Sequence, residues 1–123
     1  MPPKLSSKQV AQLAWLETLP PKFDRLIRSV EMLAAMQADE VTIRATQRLL
    51  GELKSQASTL GVQALAENFG YMETLIRRSG GHQMRVRGLR ELLAGAKTNY
   101  EGALKAASTP VPESGAPEGA TAP

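Results

Sequence analysis

The stretch Arg48-Leu49-Leu50-Gly51-Glu52-Leu53-Lys54-Ser55-Gln56-Ala57-Ser58-Thr59-Leu60-Gly61 reads as the second half of an amphipathic helix that stops at a glycine. Ile43, Leu50, Leu53, Ala57 and Leu60 fall on one strip at helical spacing, which marks the side to be buried. Gly61 suits the left-handed residue that closes a helix, because it has no Cβ to collide with the carbonyl that follows. Val62, Leu65, Ala66, Phe69, Met72 and Ile76 repeat the helical spacing at once. A link so short forces the two helices into an antiparallel hairpin. The hairpin, spanning roughly 40 to 78, sets the fold class as all-α.

Working outward, Ser6 and Gln9 have capping-box spacing ahead of a first helix. Val10, Leu13, Ala14 and Glu17 define its expected strip, widened by Trp15, Leu16 and Leu19. Pro20-Pro21 ends it, since neither residue donates a backbone hydrogen bond, and Pro21 suits the opening of the next helix. The second helix is expected from about Lys22 to Gln37, with Phe23, Leu26, Ile27, Val30, Leu33 and Ala34 inward. Asp39 and Glu40 place negative charge where the third helix, about Glu40 to Thr59, begins.

Beyond the hairpin, Ser79-Gly80-Gly81 punctuates the chain, and a fifth helix is expected from about Gln83 to Ala107. Leu89, Leu92, Leu93, Ala96, Tyr100, Ala103 and Leu104 form its inward face. Gly88, Gly95 and Gly102 recur at heptad spacing and are read as close helix packing. The expected architecture is one helical domain over 1–107, an antiparallel up-down four-helix bundle with an additional N-terminal helix. Residues 108–123 lose the apolar period and carry four prolines, which predicts a disordered tail.

Composition narrows the chemistry. The 123 residues include no cysteine and one histidine, His82, so thiolate metal sites and disulfides are excluded. No glycine-rich phosphate loop and no nucleophile–base set with plausible spacing occurs, so no enzyme activity, metal or cofactor is expected. The net charge is +3; with Glu113 and Glu118 in the tail, the body carries ten acids against 15 bases, near +5. That balance favours acidic partners but is no nucleic-acid signature, and nucleic acid is not the expected partner. No membrane-spanning run or apolar signal core is present, and a cytoplasmic location is expected.

The central helix resembles that of the histidine-phosphotransfer (HPt) family, whose pattern is His-x-x-Lys-Gly followed by Leu-Gly. Lys54 and Leu60-Gly61 fall in place without a gap, Ser55 stands for the small glycine, and Gly51 occupies the histidine position. Leu65-Ala66, Met72-Glu73, Arg77 and Gly80 continue the resemblance, which spans most of residues 4 to 107 and is most specific over Leu49 to Gly81. The family's histidine accepts a phosphoryl group from one receiver domain and passes it to another. The resemblance therefore implies an HPt-like fold in which Gly51 cannot accept phosphate, since an imidazole nitrogen is required. His82 is no substitute: Gly51 lies about 15 Å and His82 about 30 Å along their helices from the Gly61 turn.

Two readings follow. In the first, the chain is a non-catalytic regulator of two-component signalling. It binds a response-regulator receiver domain or a histidine kinase through Gln47, Arg48, Gly51, Lys54, Ser55 and Ser58, the residues neighbouring position 51 on the helix surface. In the alternative, it is a helical adaptor unrelated to phosphorelay that uses the basic turn of Arg77, Arg78, Arg85, Arg87 and Arg90. Arg85 and Arg87 stand in the first turn of the fifth helix, where the helix dipole disfavours positive charge.

Overall fold

A computed structural model describes residues 4–78 and 81–110, and every regular element in them is helical. The order is α1 (Ser7–Leu16), α2 (Leu19–Ala34), α3 (Glu40–Thr59), α4 (Gln63–Arg77) and α5 (His82–Ser108). Among the described residues no helix is long and apolar enough to cross a membrane. Ser79, Gly80 and the stretch from residue 111 onward, which holds most of the expected tail, lie outside the described residues.

The α3–α4 hairpin closes as the sequence requires. Gly61 adopts φ +75°, its N–H donates to the Ser58 carbonyl, and the Val62 N–H donates to the Ala57 carbonyl. These two bonds form a Schellman motif, which satisfies carbonyls at the end of α3 that would otherwise lack donors. Asp39 opens α3, its carboxylate accepting from the Thr42 N–H at 2.8 Å.

α2 ends in the same motif with a different residue. The Met36 N–H donates to the Leu33 carbonyl and the Gln37 N–H to Met32, while Met36 itself takes φ 60°. A side chain in that left-handed region costs about 1–2 kcal/mol relative to glycine. One chain thus uses glycine in one Schellman turn and methionine in the other.

The start of α2 departs from the expected boundaries. α1 stops at Leu16 rather than near Leu19, and α2 begins at Leu19, with Pro20 and Pro21 inside its first turn. First-turn N–H groups have no intrahelical acceptor, so two prolines there remove nothing the helix uses. α1 is also rotated from its expected strip: Val10 is 54% exposed, and Ala14 and Glu17 are exposed. The inward positions are Gln9, Gln12, Leu13 and Leu16, themselves at i, i+3, i+4 and i+7.

Gln9 explains the rotation. Its Oε1 accepts from the Ser6 N–H at 2.9 Å and completes the capping box. Its Nε2 donates to the carbonyls of Ala106 at 3.1 Å and Thr109 at 2.7 Å, at the end of α5. Gln12 donates to the Leu60 carbonyl at 2.8 Å and Trp15 to Gln56 at 2.8 Å. α1 therefore lies across the closed end of the hairpin and the end of α5, held there by these polar contacts and by Leu16, which is fully buried in the core.

The core joins all five helices, with Leu16 as the contribution of α1. Phe23, Leu26 and Val30 of α2, Leu50, Leu53 and Ala57 of α3, Leu65, Phe69 and Met72 of α4, and Leu89, Leu93 and Ala96 of α5 are buried. Phe23 stands between Phe69 and Tyr100, with ring centroids 6.1 Å and 5.5 Å away, so one aromatic cluster fastens α2 to both α4 and α5. Arg90 of α5 makes a two-pronged bond to Glu31 of α2, at 2.7 Å and 3.1 Å. Asn99 of α5 donates to Asn68 of α4. Glu31 opposite Arg90 and Phe23 opposite Tyr100 make α2 and α5 antiparallel.

The glycine stripe on α5 divides by environment. A Cβ on Gly88 would come within 2.6 Å of Leu75 Cδ2, so this glycine permits close contact with α4. At Gly95 the nearest atom is Asn68 Nδ2 at an ordinary 3.5 Å, and at Gly102 there is nothing within 4 Å. Close packing accounts for the first of the three and not for the last. Gly102→Ala is expected to raise stability by about 0.5–1 kcal/mol, because the exposed helix interior gains propensity without a clash. Gly88→Ala should lose that gain to repacking around Leu75. Urea unfolding of the two variants beside the parent checks the contrast.

Acid should loosen the links at both ends of the α2–α3 connection. The hydrogen bond from Arg90 holds the Glu31 carboxyl below its ordinary value, and the Thr42 N–H does the same for Asp39. A carboxyl depressed in the folded state contributes stability that is full above its unfolded value, near 4, and is lost as pH falls through the folded value. The Glu31→Gln, Asp39→Asn double variant should therefore show a smaller drop in urea midpoint between pH 7 and pH 3 than the parent.

Candidate functional site

Gly51 sits in the middle of α3, half-buried against α4. A Cβ built on it would lie 3.1 Å from Glu73 Oε2. Opposite, a Cβ on Gly70 of α4 would lie 3.2 Å from Lys54 Cδ. Position 51 thus faces 73 and 54 faces 70, the register of an antiparallel pair. Two glycines leave room for two long side chains to cross the seam, and those side chains meet: Lys54 Nζ is 3.5 Å from Glu73 Oε1.

The electrostatics of the face follow from that pair. The Lys54 side chain is 51% exposed and that of Glu73 is 23% exposed, so the contact is partly screened. Exposed pairs of this kind contribute about 0.2–1 kcal/mol, too little to lock either side chain. An incoming carboxylate can therefore displace Glu73 from Lys54 at modest cost. The neighbours of Gly51 on α3 include two bases, Arg48 and Lys54, and no acid among those expected at the site, whereas α4 places the Glu73 carboxylate over its centre.

Arg48, Ser55 and Ser58 are exposed and Gln47 is half-buried, so the α3 residues expected around position 51 share one accessible face. α4 adds to it residues that sequence reasoning did not single out. A groove of about 350 Å³ runs beside Lys54 and Ser58, bordered on α4 by Ala66, Gly70, Tyr71 and Thr74. Tyr71 is 62% exposed, an aromatic of the type that anchors protein interfaces. The signal available was Phe69-Gly70-Tyr71, in which the buried Phe69 fixes the outward direction of Tyr71.

The five arginines of the basic turn do not act together. Arg85 Nη1 donates to the Arg78 carbonyl at 2.7 Å and to the Ile76 carbonyl at 3.5 Å. Its guanidinium thus satisfies the C-terminal end of α4, where positive charge is favoured, which answers the unfavourable position at the start of its own helix. Arg90 is committed to Glu31. Arg77, Arg78 and Arg87 remain exposed and, among the described residues, make no ion pair. Of the five expected patch residues, Arg85 and Arg90 thus have partners among the described residues.

His82 is the first residue of α5, at the opposite end of the molecule from the Gly61 turn, and does not approach Gly51. Among the described residues no cluster of three or more His, Asp or Glu side chains gathers. Comparison of the chain with models of known families, with curated proteins and with solved structures gave no match in any of the three.

Proposed function

We propose that the chain is a non-catalytic, HPt-like regulator of two-component signalling, with α2–α5 as an up-down four-helix bundle and α1 as an added N-terminal helix. It binds a response-regulator receiver domain or a histidine kinase through the α3–α4 face without carrying phosphate. The observation that carries this reading is the seam around Gly51. The position that in the resembling family holds a nucleophile is here a glycine covered by a carboxylate, while the lysine one turn on stays at the surface.

The mechanism is occupancy. A receiver presents an acidic pocket, and Lys54 with Arg48 offers cations to it over a surface kept low by Gly51, Ser55 and Ser58. Tyr71 supplies apolar contact area beside the groove. Glu73 sets the strength, since a partner's carboxylate must compete with it for Lys54. Phosphoryl transfer has no acceptor on this face, so the bound partner is withheld from other contacts rather than modified.

The experiment is a titration of the full chain against receiver domains and kinase dimerisation domains, with phosphate-labelled receivers in parallel. Glu73→Gln should tighten receiver binding several-fold by releasing Lys54, and Ser55→Trp should weaken it at least tenfold by raising an exposed position of the same face. Acid-labile label appearing on the unmodified chain would contradict the proposal.

A further inference from the structure

A second face, independent of Gly51, lies at the other end of the hairpin. Between the end of α2 and the start of α5 runs a groove of about 730 Å³, roughly twice the volume beside Lys54. Ala34, Val86 and Ala94 give it an apolar lining, Met36 stands at its edge, and His82 and Arg87 border it. Of the six large apolar side chains exposed among the described residues, Met32, Met36, Val41 and Met84 all belong to this end of the molecule. Met36 and Met84 are 76% and 78% exposed.

The backbone gives independent reason to read this as a built surface. Met36 occupies the left-handed position of a Schellman turn, the place Gly61 fills in the identical motif on α3. Glycine would satisfy the turn without strain, so the turn itself does not call for methionine. What methionine adds is a long, polarizable side chain at the mouth of the groove, of the kind that adapts to apolar partner side chains. Strain retained beside an exposed apolar groove points to binding rather than to folding.

Charge selects the occupant. Arg90 is held by Glu31; on the groove wall Arg87 and Glu91 make no ion pair among the described residues, and the basic excess of this end of the molecule comes from Arg77 and Arg78 at the end of α4, which make none either. The chain as a whole is +3, so a second copy brings repulsion rather than complementarity. We infer that the α2–α5 groove docks an amphipathic helix whose apolar face enters between Ala34 and Ala94 and whose flanking carboxylates meet Arg87. A helix laid in an apolar groove between two helices is an established recognition mode, read as apolar anchors one turn apart.

The test uses the full chain and a fluorescent helical peptide with a leucine face flanked by glutamates, with a lysine-flanked version as control. Anisotropy titration should show the acidic peptide binding at least tenfold tighter than the basic one. Arg87→Glu should cost about tenfold, and Ala94→Trp, which fills the groove from an exposed position, should abolish binding. Met36→Gly is the discriminating variant: its thermal midpoint should rise while its peptide affinity falls about threefold or more, opposite movements that a purely structural methionine would not produce. Ser55→Trp, at an exposed position of the α3–α4 face, should leave the peptide affinity unchanged, which separates the two faces. Equal binding of both peptides, or indifference to Arg87→Glu and Ala94→Trp, would overturn the inference. So would self-association abolished by Ala94→Trp, or binding of anionic phospholipid vesicles through the same residues in place of the peptide. Truncation after Pro110 should leave peptide affinity unchanged; a large gain on truncation would name the chain's own acidic tail as occupant and overturn it too.

Discussion

The arrangement of this chain depends on how closely α3 and α4 approach. Gly61, at φ +75°, turns the backbone sharply enough that α4 starts almost where α3 stops. Gly51 and Gly70 then leave space at mid-length that the Glu73 and Lys54 side chains occupy. Interior glycines cost helix propensity, about 1 kcal/mol each, and here the offset is contact between helices together with Leu50, Leu53, Phe69 and Met72 buried beside the seam. The same closeness brings Lys54 and Glu73 together. Fold and candidate site thus share one constraint.

The two ends of the molecule are finished differently. At the Gly61 end, Gln9, Gln12 and Trp15 of α1 take up carbonyls and an amide of α3 and α5, so exposed backbone acceptors are covered by a short helix. At the other end Arg85 does this work for α4, and apolar side chains are left at the surface. A chain that satisfies its polar groups at one end and leaves Met36 and Met84 outward at the other has a polarity that packing alone does not require.

Much of the fold was legible in the sequence because apolar spacing reports directly on burial. Leu65, Ala66, Phe69, Met72 and Ile76 were marked by period and are buried, and the limits of α3 follow from Asp39 and Gly61. The failures have physical causes. α1 was placed one position out of phase because its inward residue is Gln9, whose burial rests on hydrogen bonds that lie 97 and 100 residues away in the chain. Pro20-Pro21 marks the boundary, and Pro21 lies in the first turn of α2 as expected, but Pro20 lies there too and does not end α1, since proline is compatible with both places. Of the candidate site, the α3 half could be read from neighbours on one helix. The α4 half, with Glu73 over Gly51 and Tyr71 beside Lys54, depends on interhelical register, which a single sequence does not carry. The arginine cluster dispersed because guanidinium groups near in sequence found different partners, Arg85 in backbone carbonyls and Arg90 in Glu31.

In the proposed function, the α3–α4 seam is a docking face whose strength is set by one displaceable ion pair. Amide chemical-shift mapping of the full chain during titration with an unphosphorylated receiver domain tests it most directly. The largest perturbations should fall on Gly51, Lys54, Ser55, Gly70 and Glu73, while Met36, Val86 and Arg87 stay unmoved. Perturbations centred on those last three residues, or none anywhere at saturating receiver, would contradict it.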